Sequence, residues 1–144
     1  MKKQLLFCAF VGTMTACQHE TDIQPTQSTL SEEVAGIYRT NVYLDPSQVA
    51  IPTNQMPSAE LKKETDSSVT LVYNASYSTN SSQIPHVRLS RQADQIQLQL
   101  GDSSIGSLQT DRVFTTSGME KQGTLLRINI QNDSKNSLTF TGAK

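Results

Sequence analysis

Beyond residue 34 the chain alternates apolar and polar residues almost one by one. In DQIQLQL, Ile96, Leu98 and Leu100 fall on one face and Gln95, Gln97 and Gln99 on the other, the pattern of a half-buried strand. SVTLVYN places Val69, Leu71 and Tyr73 opposite Thr70 and Val72. HVRLS sets Val87 and Leu89 against Arg88, and TLLRINIQ sets Leu126, Ile128 and Ile130 against Leu125, Arg127 and Asn129. SLTFTG alternates Leu138 and Phe140 with threonines. GIYRTNVYL, SIGSLQ and RVFTTS bring the expected strands to seven or eight. RQAD, GDSS and QNDSKN, rich in turn-forming residues, separate the runs. Short links between successive strands predict an all-β antiparallel meander, closed as a barrel or folded as a β-sandwich.

One connection breaks this rhythm. Between Leu44 and Val69 lie Pro46, Pro52 and Pro57, a density that excludes a central strand. Within it, SAELKKE carries helix-end signals: Ser58 as N-cap, Glu60 in the first turn, and Lys62 and Lys63 near the end. Residues 45–66 therefore read as a long loop with a brief helix, the length at which loops tend to be functional. A plain insertion, or an edge strand around Val49–Ile51, is the alternative.

The first twenty residues follow another logic. Lys2 and Lys3 precede a short apolar core, Leu5 to Val11, and small residues lead to Ala16 and Cys17 before polarity returns at Gln18. This is the layout of a secretory signal peptide, and the core is too short to span a bilayer. The stretch MTAC resembles the lipobox of bacterial lipoproteins. That resemblance implies cleavage between Ala16 and Cys17 and acylation of Cys17, leaving Cys8 in the discarded leader. Each buried acyl CH₂ contributes about 0.8 kcal/mol, so two or three chains anchor a protein firmly. It also implies a place in the bacterial envelope, at the outer membrane, facing the periplasm or the surface.

Residues 17–33 continue as a polar stretch, QHETDIQPTQSTLSEE after Cys17, with too little apolar surface to fold alone. They read as a disordered tether reaching roughly 20–25 Å. The domain proper is residues 34–144, enough for one small core.

Composition narrows the chemistry. Of 12 basic residues against 13 acidic ones, two belong to the leader, so the remainder is mildly acidic. That balance argues against nucleic acid as a partner. Neither cysteine lies in the body, which leaves it without a disulfide framework or a zinc-type ligand set. His19 and His86 read as solvated residues, and Asp94, Asp102, Asp111 and Glu120 as turn carboxylates. No phosphate-binding glycine loop, nucleophile elbow or calcium loop occurs, so no catalytic residue, metal or cofactor is expected and the chain does not read as an enzyme.

Gly36-Ile37-Tyr38 at the start of the body, the long first connection and the meander ending in LTFTGAK resemble lipocalin-like, or calycin, barrels. Tyr38 stands where lipocalins carry tryptophan. The cation that their terminal strand brings onto that ring would come from Arg127 or Lys144. The resemblance implies a barrel with Tyr38, Leu71, Leu89, Leu98, Ile128 and Phe140 facing inward, as core or as contacts to a small ligand. Two functions follow from it. One is a membrane-anchored lipoprotein whose barrel binds a small apolar or amphiphilic molecule. The other is a non-enzymatic module with a filled barrel that binds an envelope protein, as an inhibitor or accessory subunit.

Overall fold

The structure, a computed structural model, describes residues 28–133 and 136–144. Cys8, Ala16, Cys17, His19 and most of the tether lie outside the described residues. Eight strands follow a short helix, α1 (Leu30–Val34): β1 (Gly36–Arg39), β2 (Ser58–Lys63), β3 (Ser68–Asn74), β4 (Ser81–Gln92), β5 (Gln95–Leu100), β6 (Ser103–Phe114), β7 (Glu120–Asp133) and β8 (Asn136–Ala143). Each pairs antiparallel with its neighbour in sequence, and β1 meets β8, so the sheet is a closed barrel. Closure removes the free edges a sandwich would keep. The architecture is compatible with a lipocalin-like barrel.

Period two governs which side chains enter. Val69, Leu71, Val87, Leu89, Ile96, Leu98, Leu126, Ile128 and Phe140 form one buried cluster with Tyr38, Ala59 and Leu61. Their polar neighbours, such as Arg88, Arg127 and Asn129, stay at the surface. Val72 and Leu125 sit on otherwise polar faces yet are buried, outside the main cluster.

Five expectations need correction. GIYRTNVYL is a strand only as far as Arg39; the chain turns after Asn41, whose carbonyl accepts the Leu44 and Asp45 N–H groups. SAELKKE is not helical but forms β2, with Ala59 and Leu61 inside and Glu60 and Lys62 turned outward. Its local cap signals yield to pairing on both sides, Leu61 with Gly36 of β1 and with Leu71 of β3. The long connection is correspondingly shorter: it ends at Pro57, and two 3₁₀ turns, Pro46–Gln48 and Thr53–Gln55, replace any edge strand. Val49 is 76% exposed.

SIGSLQ and RVFTTS are one strand, β6, kept continuous through Asp111, which pairs with Gly123 rather than lying in a turn. Residues 30–33, assigned above to the tether, belong to α1. Thr29 and Glu32 close a capping box: the Thr29 hydroxyl accepts the Glu32 N–H, and the Glu32 carboxylate accepts the Thr29 N–H. Val34 is buried in the core and Leu30 packs against it, while the Ser31 N–H donates to the Asp66 carbonyl. The helix thus closes one end of the barrel, over β2, β3 and β4.

Candidate functional site

The interior comes first, because the barrel's function depends on whether it is full. Tyr38, Leu71 and Leu98 are wholly buried, and Leu89, Ile128 and Phe140 nearly so. All six candidate ligand contacts belong to the same packed cluster. At the end away from α1, Tyr73, Ile84 and Leu138 are only partly buried against it, with Tyr73 edge-on to Phe140 at 5.8 Å between ring centroids. Burial, reinforced by the charge of Asp45, pushes the Tyr73 phenol above its ordinary pKa.

At the α1 end, polar groups seal the core. The Tyr38 hydroxyl donates to the Val34 carbonyl at 2.7 Å. Lys144 Nζ donates to the carbonyls of Glu33 and Ala35, at 3.1 and 2.8 Å. Three successive carbonyls at the end of α1 are therefore satisfied by two side chains. Lys144, not Arg127, lies over the Tyr38 ring; Arg127 is on the outside, 3.6 Å from Asp111. Burial raises the Tyr38 pKa strongly and lowers that of Lys144. On its outer side α1 is tied by Glu32 to Lys63 at 2.8 Å and by Glu33 to Arg91. Beside it a recess of about 90 Å³ reaches Ile96 and Leu108.

A concavity of about 420 Å³ lies at the end away from α1, bordered by Arg39, Met56, Ser58, Asn74 and Tyr77. Two others lie along the outer wall of the barrel. β6 and β7 pair continuously from Phe114–Glu120 to Gly106–Ile128, and there their ladder stops. Beyond that point Ser103 and Ser104 pair with β5, while Asn129, Ile130 and Gln131 pair with β8. The wall splits into a V, with a cleft of about 400 Å³ between the two edges. A second cleft of about 400 Å³ shares Ser104, Ile105 and Asn129 with it and runs on to Arg127 and Thr141. Gly106 sits where the strands part: a Cβ there would lie 2.3 Å from the Arg127 carbonyl oxygen, so only glycine lets β6 and β7 come this close. Ile128 and Phe140, two of the six candidate contacts, also border the second cleft; nothing else expected from sequence pointed here. The one local signal was the lapse in alternation at Ile105-Gly106-Ser107.

One hydroxyl, carboxylate and imidazole meet at the surface of the described barrel. Thr70 donates to Glu64, and the same carboxylate accepts the His86 N–H at 3.2 Å and lies 3.2 Å from His86 Nδ1. The carboxylate is thus in the middle. A hydrolase needs the imidazole between hydroxyl and acid, so this trio orders the His86 backbone, held at φ 60°, and activates no nucleophile. Among the described residues no three His, Cys, Asp or Glu side chains gather in a way that would hold a metal ion, and no helix is long and apolar enough to cross a membrane. Compared with known protein families, characterised proteins and solved structures, the chain has no match.

Proposed function

We propose that this chain is a lipid-anchored, non-enzymatic interaction module of the bacterial envelope, whose barrel is filled by its own side chains and whose outer wall binds a protein partner. The carrying observation is the packing of Tyr38, Leu71, Leu89, Leu98, Ile128 and Phe140 into one buried cluster beneath a helix that closes one end, while two clefts of about 400 Å³ open along the outer wall at β6 and β7. A filled barrel of eight strands is a rigid platform, and rigid platforms lower the entropic cost of binding. The anchor rests on the MTAC stretch and Cys17. With acyl chains holding it to the outer membrane, the domain needs no lipid-binding face of its own.

A second reading, a lipocalin-like carrier of a small apolar molecule, is favoured by the half-buried Tyr73, Ile84 and Leu138 at the end away from α1. Native mass spectrometry of the Cys17→Ser chain, which lacks the acylation site, separates the two. The interaction module gives the bare protein mass after exposure to a lipid and metabolite mixture. A reproducible added mass, removed by organic extraction, establishes the carrier instead.

A further inference from the structure

We propose that the split between β6 and β7 is an acceptor site for one extended, uncharged strand of a protein partner, an inference that rests on the interaction-module reading. Two strand edges face each other across the V. Ser103, Ser104 and Ile105 have no β7 partner, and Asn129, Ile130 and Gln131 have no β6 partner, among the described residues. Ile105 falls within the irregularity between the Leu98–Gly106 and Gln99–Ser104 pairs and so belongs to neither ladder. Each edge turns backbone donors and acceptors towards the cleft. An added strand is the ligand whose own backbone groups recur at the same spacing, and strand addition is an established mode of peptide capture.

The lining chooses the kind of strand. Among the described residues the first cleft is lined by hydroxyls, amides and aliphatics: Ser103, Ser104, Asn129 and Gln131 at the rim, Ile105 and Ile130 buried at the base. Leu100, 37% exposed, offers one apolar contact at the mouth. Natural edges are usually blunted by lysine, proline or inward charge, and this pair carries none of these. A charged segment would lose hydration in the first cleft without gaining a counterion from its described lining, so the partner segment is neutral there, with small or β-branched side chains. Three residues on each edge match a segment of about three to five residues at ~3.4 Å per residue.

The test begins by selecting linear random peptides on the full Cys17→Ser chain from a displayed library. The selected peptides are then titrated into isotope-labelled protein while amide exchange is followed residue by residue. The expected result is uncharged peptides that slow exchange at Ser103–Ile105 and Asn129–Gln131. The Ser104→Lys/Asn129→Lys double variant should weaken them by roughly tenfold or more, since lysine blunts an edge. Peptides that protect amides elsewhere, or no selectable peptide, overturn the proposal. So does protection of these amides by the protein's own dimerisation, read in sedimentation. An added small-molecule mass in the native spectra would remove the interaction-module reading while leaving edge protection measurable. Loss of edge protection with a bare barrel mass would remove the acceptor site alone.

Discussion

Lys144 Nζ lies 5.2 Å from the centroid of the Tyr38 ring, joining the strand that opens the barrel to the residue that follows its last strand. The same ammonium caps the end of α1, so helix, first strand and last strand meet at one charge. Lys144→Ala should lower stability by about 1–2 kcal/mol, since cation–π contacts contribute ~0.5–2 kcal/mol and capping hydrogen bonds add to them. Urea unfolding of Lys144→Ala, of Tyr38→Leu, which removes the ring that phenylalanine would keep, and of the double variant gives the coupling between ammonium and ring. Strict additivity would mean that the pair does not interact.

Tyr38→Phe leaves the Val34 carbonyl without its donor inside the core. The expected loss is about 1–3 kcal/mol with the barrel retained, read from the urea midpoint at unchanged slope.

Two limbs of pH dependence follow from named groups. Four carboxyls are held below their ordinary values: Glu32 chiefly by Lys63, Asp45 by the Ser47 hydroxyl, Glu64 by the Thr70 hydroxyl and Asp111 by the Gln109 amide. A depressed folded-state value means stability present above the unfolded range and lost as pH falls through the folded values. Unfolding midpoints should therefore decline below about pH 4.5. Tyr38 and Tyr73 are raised by burial, so their contribution is intact below about pH 10 and is lost above it, as the unfolded phenols ionise. Lys144, lowered by burial, works the other way in the same alkaline range. Comparing Tyr38→Phe with the parent isolates the tyrosine limb, which should be shallower in the variant.

Gly106→Ala forces a methyl group against the Arg127 carbonyl oxygen. A stability loss of about 1–3 kcal/mol is expected, with amide shifts confined to β6 and β7, because overpacking moves the backbone locally. An unchanged midpoint would show that the strands separate easily at that point.

Asn41 is buried and fastens the exit of β1 to a hairpin far along the chain. Its Nδ2 donates to the Phe114 carbonyl at 2.7 Å, and its Oδ1 accepts the N–H groups of Tyr43 and Leu44. Asn41→Ala should cost about 1–3 kcal/mol and loosen residues 41–45 first, as seen by faster amide exchange there. At the other end of the chain, Cys17→Ser should abolish acylation and release the protein from membranes; an acylated or membrane-bound variant would refute the lipobox reading.

β5 was legible because strict alternation admits one reading, and β3 and β7 depart from it only at Val72 and Leu125. β2 was not, because Ser58, Glu60 and the two lysines also satisfy a helix locally, and only its pairing with β1 and β3 decides between them. α1 escaped because Leu30 and Val34 look isolated in a polar stretch, although Thr29-Leu30-Ser31-Glu32 carries a capping-box signature. The inward set from Tyr38 to Phe140 was readable from alternation. The V between β6 and β7 was not, since it depends on how many residues of two long strands stay in register, which no local pattern encodes. Lys144 over Tyr38 likewise depends on the stagger of the closed sheet.

β1 and β8 share a single paired position, Arg39 with Ala143, whereas every other seam joins sequence neighbours over several residues. Hairpins form from contacts close in sequence, and the chain meets a large loop-closure entropy only when its two ends are brought together. The seam is therefore expected to zip last during folding and to open first under native conditions, read as the fastest amide exchange of the sheet at Gly36–Arg39. A β1 strand that detaches with α1 would leave a seven-stranded curl still held by its hairpins, a partly unfolded form lying below the global barrier.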